Sequence, residues 1–294
     1  MAILKQKWSV TTVSSAAVQP IVALLSHPVG GNPAQYMIEK AFLHHDLDWR
    51  YLTFEVTPED LEDAIRGIRA MGFRGAHCGN PHKQAVIPLL DRIGETAAMV
   101  GAVNLIFRDD GQLVGENTEG KGLLAALERL GEVAEKRIVL LGAGRAARAA
   151  GVELAAAGVG QITVVDRNEQ NARELVDLLA EKFQLDAAAV AWEDRYRVPE
   201  DADALINATS IAEEDPLTEV PVELDSLRPE LVVAGLAAYS PETWLIRQAA
   251  ERGCTTLDGL RMYIDQVAFC LKLWTGVEPD CGVMREAIEE FLEL

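Results

Sequence analysis

The sequence predicts a two-domain α/β protein in which a doubly wound parallel sheet is joined to a second α/β lobe. Three observations predict it. Strand and helix patterns alternate over about 120 residues starting at Lys136, which implies a parallel sheet with helices on both faces. A similar alternation fills the chain before Glu119. Two closing helices, LRMYIDQVAFCLKLWTG and GVMREAIEEFLEL, have no strand after them and are expected to return to the first lobe. The expected division is therefore 1–120, with 259–294 returning to it, and 121–258.

Each element has a local reason. PIVALL (20–25) reads as a short buried strand, followed by a helix from Ala34 to His45, and RYLTFEV (50–56) reads as strand. TPEDLEDAIRGIRAM puts Thr57 at the N-cap, Pro58 at the first helical position and acids in the first turn. A short strand near FRGAH precedes RGAHCGNPHKQAV (74–86), which crowds two histidines, a cysteine and a lysine together. AVNLIFRDDGQLVGEN (102–117) reads as a hairpin turning at Asp110-Gly111. The pattern changes at Glu119, and a helix from about Lys121 to Leu130 leads into KRIVLLGAGRAARAAGVELAAAG (136–158), read as strand, glycine turn and helix. Strand QITVVDR, helix NEQNARELVDLLAEKF and strand ADALINATS follow. Strand ELVVAGL, helix PETWLIRQAAERG and strand CTTLDG complete the alternation.

Composition narrows the function classes. Apolar residues make up 49% of the 294 and charged residues 25%, as in water-soluble globular proteins. A formal net charge of −19 argues against nucleic acid and against an anionic membrane surface as partners. A small-molecule substrate is the expected partner. The four cysteines show no CxxC pairing, MAILKQKWSVTTVSS lacks a leader's long apolar stretch, and no run approaches a membrane span. Cytoplasmic localisation with reduced thiols is the expectation, as monomer or homodimer.

GAGRAA places Gly142, Gly144 and Ala147 in the G-x-G-x-x-A form between a strand and a helix. The first glycine permits the tight turn, the second lets backbone approach a pyrophosphate, and the small Ala147 allows helix to pack on strand. Asp166, 24 residues past Gly142 at the end of the next strand, is placed to accept ribose hydroxyls. This is the pattern of a Rossmann-type dinucleotide domain. Asp166 disfavours a 2′-phosphate and points to NAD; Arg167 beside it can accommodate that phosphate, leaving NADP open. Arg145, Ala146 and Thr209 complete the candidate cofactor set.

A metal site at His77, Cys78 and His82 is disfavoured, because a fourth local ligand is missing and alternate strand residues point to opposite faces. No metal is expected. Cys78 at a strand end reads as core rather than as a nucleophile, and His44-His45 reads as a helix end.

Across nearly the whole chain the motifs resemble the shikimate dehydrogenase family, which includes quinate/shikimate dehydrogenases. They are NPHK (80–83), GAVN (101–104), GENTEGKG (115–122), GAGRAARA (142–149), INATS (206–210), YSPET (239–243) and GLRMYIDQVAF…LWTG (259–276). The resemblance implies a substrate domain in two chain segments, a dinucleotide domain between them and an active site in the cleft. It places Lys83 on the family's catalytic lysine and Glu119 where the family has an aspartate. It also places Asn104 and Gln266 on substrate-hydroxyl ligands, and Tyr239 on a cleft tyrosine. Oxidising a secondary alcohol needs a proton taken from oxygen while hydride leaves carbon for the nicotinamide. A lysine oriented by a carboxylate suits that task.

The departures from the family lie on the substrate side. Its two carboxylate-binding serines fall on Asn32 and Ala34, its motif threonine on Gly79 and its motif asparagine on His77. Each charge-assisted hydrogen bond lost from a buried carboxylate costs on the order of 1.5–3 kcal/mol. The expected function is hydride transfer between NAD(P) and a secondary alcohol of a polyhydroxylated ring or hydroxy acid other than shikimate. Asn32 and Gly79 are candidate substrate-site residues, and Asn32, His77 and His82 are candidates for new polar contacts. A genuine shikimate or quinate dehydrogenase and a catalytically silent dinucleotide sensor or scaffold are the alternatives.

Overall fold

A computed structural model describes residues 18–294; the N-terminal stretch read above for a leader lies outside them. Two six-stranded sheets organise the chain. The first contains β1 (Ile21–Ser26), β2 (Arg50–Glu55), β3 (Gly75–Cys78), β4 (Arg92–Ile93), β5 (Leu105–Asp109) and β6 (Gln112–Glu116), in the order β2-β1-β3-β5-β6-β4. β1, β2 and β3 are parallel, and β5 runs antiparallel to both β3 and β6. The β5–β6 hairpin turns at Asp110 and Gly111, both at positive φ as a primed turn requires. Its helices are α1 (Ala34–His44), α2 (Leu61–Met71), α3 (His82–Ala85) and α4 (Glu95–Val100).

α2 starts later than its sequence suggests. Asp60, not Thr57, occupies the N-cap position, because Thr57 and Asp60 close a turn of their own through Asp60 N to Thr57 O and Thr57 Oγ1 to Asp60 Oδ2. This local turn thus competes with the helix for these residues.

α5 (Glu119–Glu128) leads to the second sheet: β7 (Arg137–Leu141), α6 (Arg145–Ala156), β8 (Gln161–Asp166), α7 (Glu169–Phe183), β9 (Asp186–Ala191), β10 (Ala204–Asn207), α8 (Ile211–Glu214), β11 (Val232–Gly235), α9 (Trp244–Glu251) and β12 (Thr255–Leu257). The order β12-β11-β10-β7-β8-β9 is parallel throughout. β9 is an edge strand that the sequence reading passed over. DAAAVA has one β-branched residue and shows no fully buried position. The strand order reverses between β7 and β10, so the loops after them open a crevice at their carboxyl ends, where ligands of such sheets bind.

The last helices, α10 (Gly259–Thr275) and α11 (Cys281–Leu292), return to the first sheet. Leu260, Ile264, Val267, Leu271, Trp274, Met284 and Ile288 share a core with Met37, Phe42, Tyr51 and Leu105. α5 lies between α6 and α10, close to both. A Cβ added at Gly120 would stand 2.1 Å from Ala149 O, and one at Gly122 would stand 2.3 Å from Met262 O. Among the described residues, no helix is long and apolar enough to cross a membrane.

Candidate active site

Two adjoining cavities lie between the sheets' carboxyl ends. The nucleotide-side cavity has a volume of ≈ 610 Å³ and the substrate-side cavity ≈ 380 Å³. Both walls include Asn80, Lys83, Glu119, Tyr239, Tyr263 and Gln266. The junction therefore brings together four of the residues selected from sequence, from four separate segments of chain.

The position of Lys83 is set by its loop. β3 ends at Cys78, and Gly79 N donates to Leu25 O while His27 N donates to Asn80 O, tying the loop to the end of β1. The buried ring of His82 donates from Nε2 to Val56 O (2.8 Å), and Val103 N donates to Lys83 O (2.7 Å). Held on both sides, the half-buried Lys83 ammonium forms an ion pair with Glu119 Oε1.

Glu119 opens α5, and its placement depends on two residues the sequence reading did not select. Asn117 Oδ1 accepts from Glu119 N (3.1 Å), which ties the first residue of α5 to the loop before it. Thr118, fully buried, takes both ends of the Asn104 amide: Asn104 Oδ1 accepts from Thr118 N (2.8 Å) and Asn104 Nδ2 donates to Thr118 Oγ1 (2.9 Å). Asn104 lines the substrate-side cavity, yet its first service is to fix the start of α5. One donor and one lone pair of the amide remain for a substrate.

Around the substrate-side cavity, Asn32 Oδ1 accepts from Ala34 N (2.8 Å), which uses part of its amide to start α1. Gly79 lines the same cavity, and a Cβ there would meet Ser26 Oγ at 2.4 Å. The hydroxyl missing at 79 is thus partly replaced in space by that of Ser26, which donates to Asn80 O (2.9 Å). Tyr239 packs edge-on against Tyr263 with ring centroids 5.3 Å apart. Tyr263, absent from the sequence-based set, lies three residues before Gln266 on α10; that helical spacing was the available signal. Glu213, in α8, is a second missed residue. It brings another carboxylate to the nucleotide-side wall near Lys83 and Arg145, and desolvation raises its pKa.

His77, Cys78 and His82 do not converge. His77 Nδ1 meets Tyr51 Oη at 2.8 Å, His82 turns to Val56, and Cys78 packs in the core, where burial pushes its thiol up to about 12. At ordinary pH that sulfur is a thiol, not a nucleophile. His44 and His45 end α1 beside Asp280.

The nucleotide-side cavity fits a dinucleotide. Gly142 takes φ +97°, and Gly144 has open space where a side chain would stand, leaving room for a close ligand. Gly144, the N-cap of α6, has no side chain to cap the helix, which leaves the first-turn amides available to a pyrophosphate. Arg145, Ala146, Asp166, Arg167 and Thr209 line the wall, while Ala147 is fully buried beneath it and supports packing rather than contact. Asp166 also braces the loop. Its Oδ2 accepts from Ala143 N and its Oδ1 from Asn168 N, each at 2.7 Å.

Fold and site together define a dinucleotide-dependent oxidoreductase acting on a CH–OH group. Residues 24–106 match the shikimate dehydrogenase substrate binding domain, and residues 124–223 match shikimate / quinate 5-dehydrogenase. The shikimate dehydrogenase (NADP(+)) of Moorella thermoacetica is 39% identical over 278 residues, 92% of each chain. The ligand-free 5-ketofructose reductase of Gluconobacter sp. strain CHM43 superimposes with a TM-score of 0.91 at 41% identity, covering 94% of this chain and 99% of that one. The shikimate 5-dehydrogenase of Listeria monocytogenes, in complex with shikimate and NAD, gives 0.85 at 31% identity over 94% and 98%. The chain belongs to the shikimate dehydrogenase family.

Proposed function

We propose that this chain interconverts the ketone and secondary alcohol of a neutral polyhydroxylated substrate of the ketose class, with NAD as cofactor, and that shikimate is not its substrate. The observation that carries this reading is the charge of the substrate-side cavity. Among the described residues lining it, Lys83 is the one ammonium and Glu119 neutralises it. His27 stands 3.2 Å from Glu55, and burial lowers the pKa of His77 to about 3, so its ring is neutral. Among the described residues no arginine lines this wall, and Ala34 and Gly79 bring no hydroxyl. Among the described residues of this wall, a buried substrate carboxylate would find neutral hydroxyls such as those of Ser26 and Tyr239 but no unpaired cation to offset its desolvation. Similarity to the 5-ketofructose reductase supports the ketose class and narrows the hydroxy-acid reading of the sequence.

In this mechanism a bound nicotinamide supplies or accepts the hydride. Lys83 Nζ gives a proton to the carbonyl oxygen as the ketone becomes an alcohol, and takes it back in the reverse direction. Glu119 holds the ammonium in place and accepts from a neighbouring substrate hydroxyl, while Gln266 and the spare valences of Asn104 bind further hydroxyls. In this reading the substrate lobe comprises 1–120 with 259–294 and the nucleotide lobe 121–258, in a cytoplasmic monomer or homodimer.

A panel of 5-ketofructose, fructose, shikimate and quinate, assayed separately with NAD(H) and NADP(H), tests the proposal. Turnover of the ketose pair with NAD(H) is expected, with kcat/KM for shikimate lower by at least about a hundredfold, as the loss of two charge-assisted bonds implies. Efficient shikimate oxidation overturns the substrate, and tight NADH binding without turnover overturns the enzyme. The NAD preference is assigned to Asp166, whose carboxylate repels a ribose 2′-phosphate. Asp166→Asn, which removes the charge and keeps an acceptor for one of the two loop amides, is expected to shift the preference toward NADP by about tenfold. An unchanged ratio removes Asp166 from that role.

A further inference from the structure

Among the described residues, the wall of the substrate-side cavity holds one buried side-chain polar atom without a hydrogen-bond partner. His77 sits on β3 opposite Leu24 and Leu105, only 8% exposed, with its ring 4.7 Å from that of Trp274. Nδ1 is taken by Tyr51 Oη at 2.8 Å, and Nε2 has no partner among the described residues. Buried side-chain polar atoms are paired in the large majority of cases, so an unpaired one asks for an explanation.

The tautomer follows from Tyr51. Its hydroxyl is fully buried and carries one proton, and His77 Nδ1 is its partner. Donation from Oη to Nδ1 satisfies both atoms and places the single proton of the neutral imidazole on Nε2. The unused atom is therefore a donor.

The other buried histidine provides the contrast. His82 also leaves one ring nitrogen, Nδ1, unpaired, but it is absent from both cavity walls and serves the loop through Val56 O. His77 lines the substrate-side cavity, alongside Tyr51. Several other polar groups on that wall are at least partly engaged: Ser26 with Asn80, Asn32 with Ala34, Asn104 with Thr118, and Lys83 with Glu119.

We propose that His77 is a specificity-determining contact of this enzyme, its Nε2–H donating to a hydroxyl or carbonyl oxygen of the bound polyhydroxylated substrate while Tyr51 fixes the ring. The assignment of the substrate class rests on the function proposed above; the contact itself does not. A neutral donor at this position suits a substrate oxygen that carries no charge.

Two replacements separate the ring nitrogens. His77→Asn retains a group near Nδ1 for Tyr51 and removes Nε2, whereas His77→Gln reaches the Nε2 position. For 5-ketofructose with saturating NADH, His77→Asn is expected to raise KM about tenfold with kcat within about twofold and the KM for NADH unchanged. His77→Gln is expected to recover most of that loss. Deoxy analogues of the ketose complete a cycle: the analogue lacking the paired hydroxyl loses about tenfold against the parent enzyme and no more against His77→Asn. Losses that add for every analogue, or a KM unmoved by His77→Asn, overturn the proposal. If either variant fails to fold, the Nε2–H resonance of the unsubstituted protein, saturated with NADH, decides. It shifts on adding substrate if the contact exists and stays fixed if it does not. Should the wild type oxidise shikimate and ignore the ketose, the function proposed above fails. The same cycle run on shikimate still decides the role of His77.

Discussion

Replacing Lys83 with alanine is expected to lower kcat by 10²–10⁴-fold, the usual contribution of a positioned proton donor, while NADH binding stays within about twofold of the parent. The separation follows from the geometry. Lys83 lies where the two cavities meet, whereas the glycine turn, the α6 amides and Asp166 hold their positions through bonds that do not involve it. Removing the ammonium leaves Glu119 unpaired and half-buried, so the stability of the variant must be measured beside its rate. Glu119→Gln provides the complement: the ion pair is lost, the amide still accepts a bond, and the rate falls less than in Lys83→Ala. Titrating NADH by fluorescence and measuring single-turnover rates separates the two effects. A Lys83→Ala enzyme that keeps a tenth or more of its kcat would show that the proton moves by another route.

The site was legible in the sequence where a short motif carries its own chemistry. The G-x-G-x-x-A turn, Asp166 and Lys83 belong to local units whose backbone roles follow from residue type. What the sequence did not reveal depends on distant partners. Asn104 was read as a substrate-hydroxyl ligand, but half of its amide also binds Thr118, 14 positions away, because hairpin pairing brings the ends of β5 and β6 side by side. Gly79 looked like a missing hydroxyl, yet the space beside it holds Ser26, contributed by β1 53 positions earlier. The fold itself was legible where apolar runs were long. It was missed at β9, whose alanines carry little strand signal, and at the start of α2, where Thr57 and Asp60 bond each other first.

Gly122→Ala is expected to be among the most damaging single-methyl changes in the protein, with consequences for both stability and catalysis. The added Cβ would lie 2.3 Å from Met262 O, 2.9 Å from Gln266 Cβ and 3.0 Å from Gln266 N. Two of these three atoms are backbone, so no flexible side chain end can move aside. Overpacking of this kind costs typically 1–3 kcal/mol and at times more; a value near about 3 kcal/mol lowers Tm by on the order of 6–12 °C for a chain of this size. Relief requires α10 to move away from α5, and α10 carries Gln266 and Tyr263 while α5 carries Glu119. The lost stability and a raised substrate KM are therefore expected together. Gly67→Ala in α2 is the control, since its nearest atom is the flexible Met71 Cε at 3.5 Å. There the methyl fits, and helix propensity predicts a gain of about 0.5–1 kcal/mol. Thermal unfolding of the two variants with opposite signs, and a KM change confined to Gly122→Ala, would place the close packing of α5 on α10 among the determinants of site geometry. Equal behaviour would mean that α10 yields without cost and that the glycine is not needed for the approach.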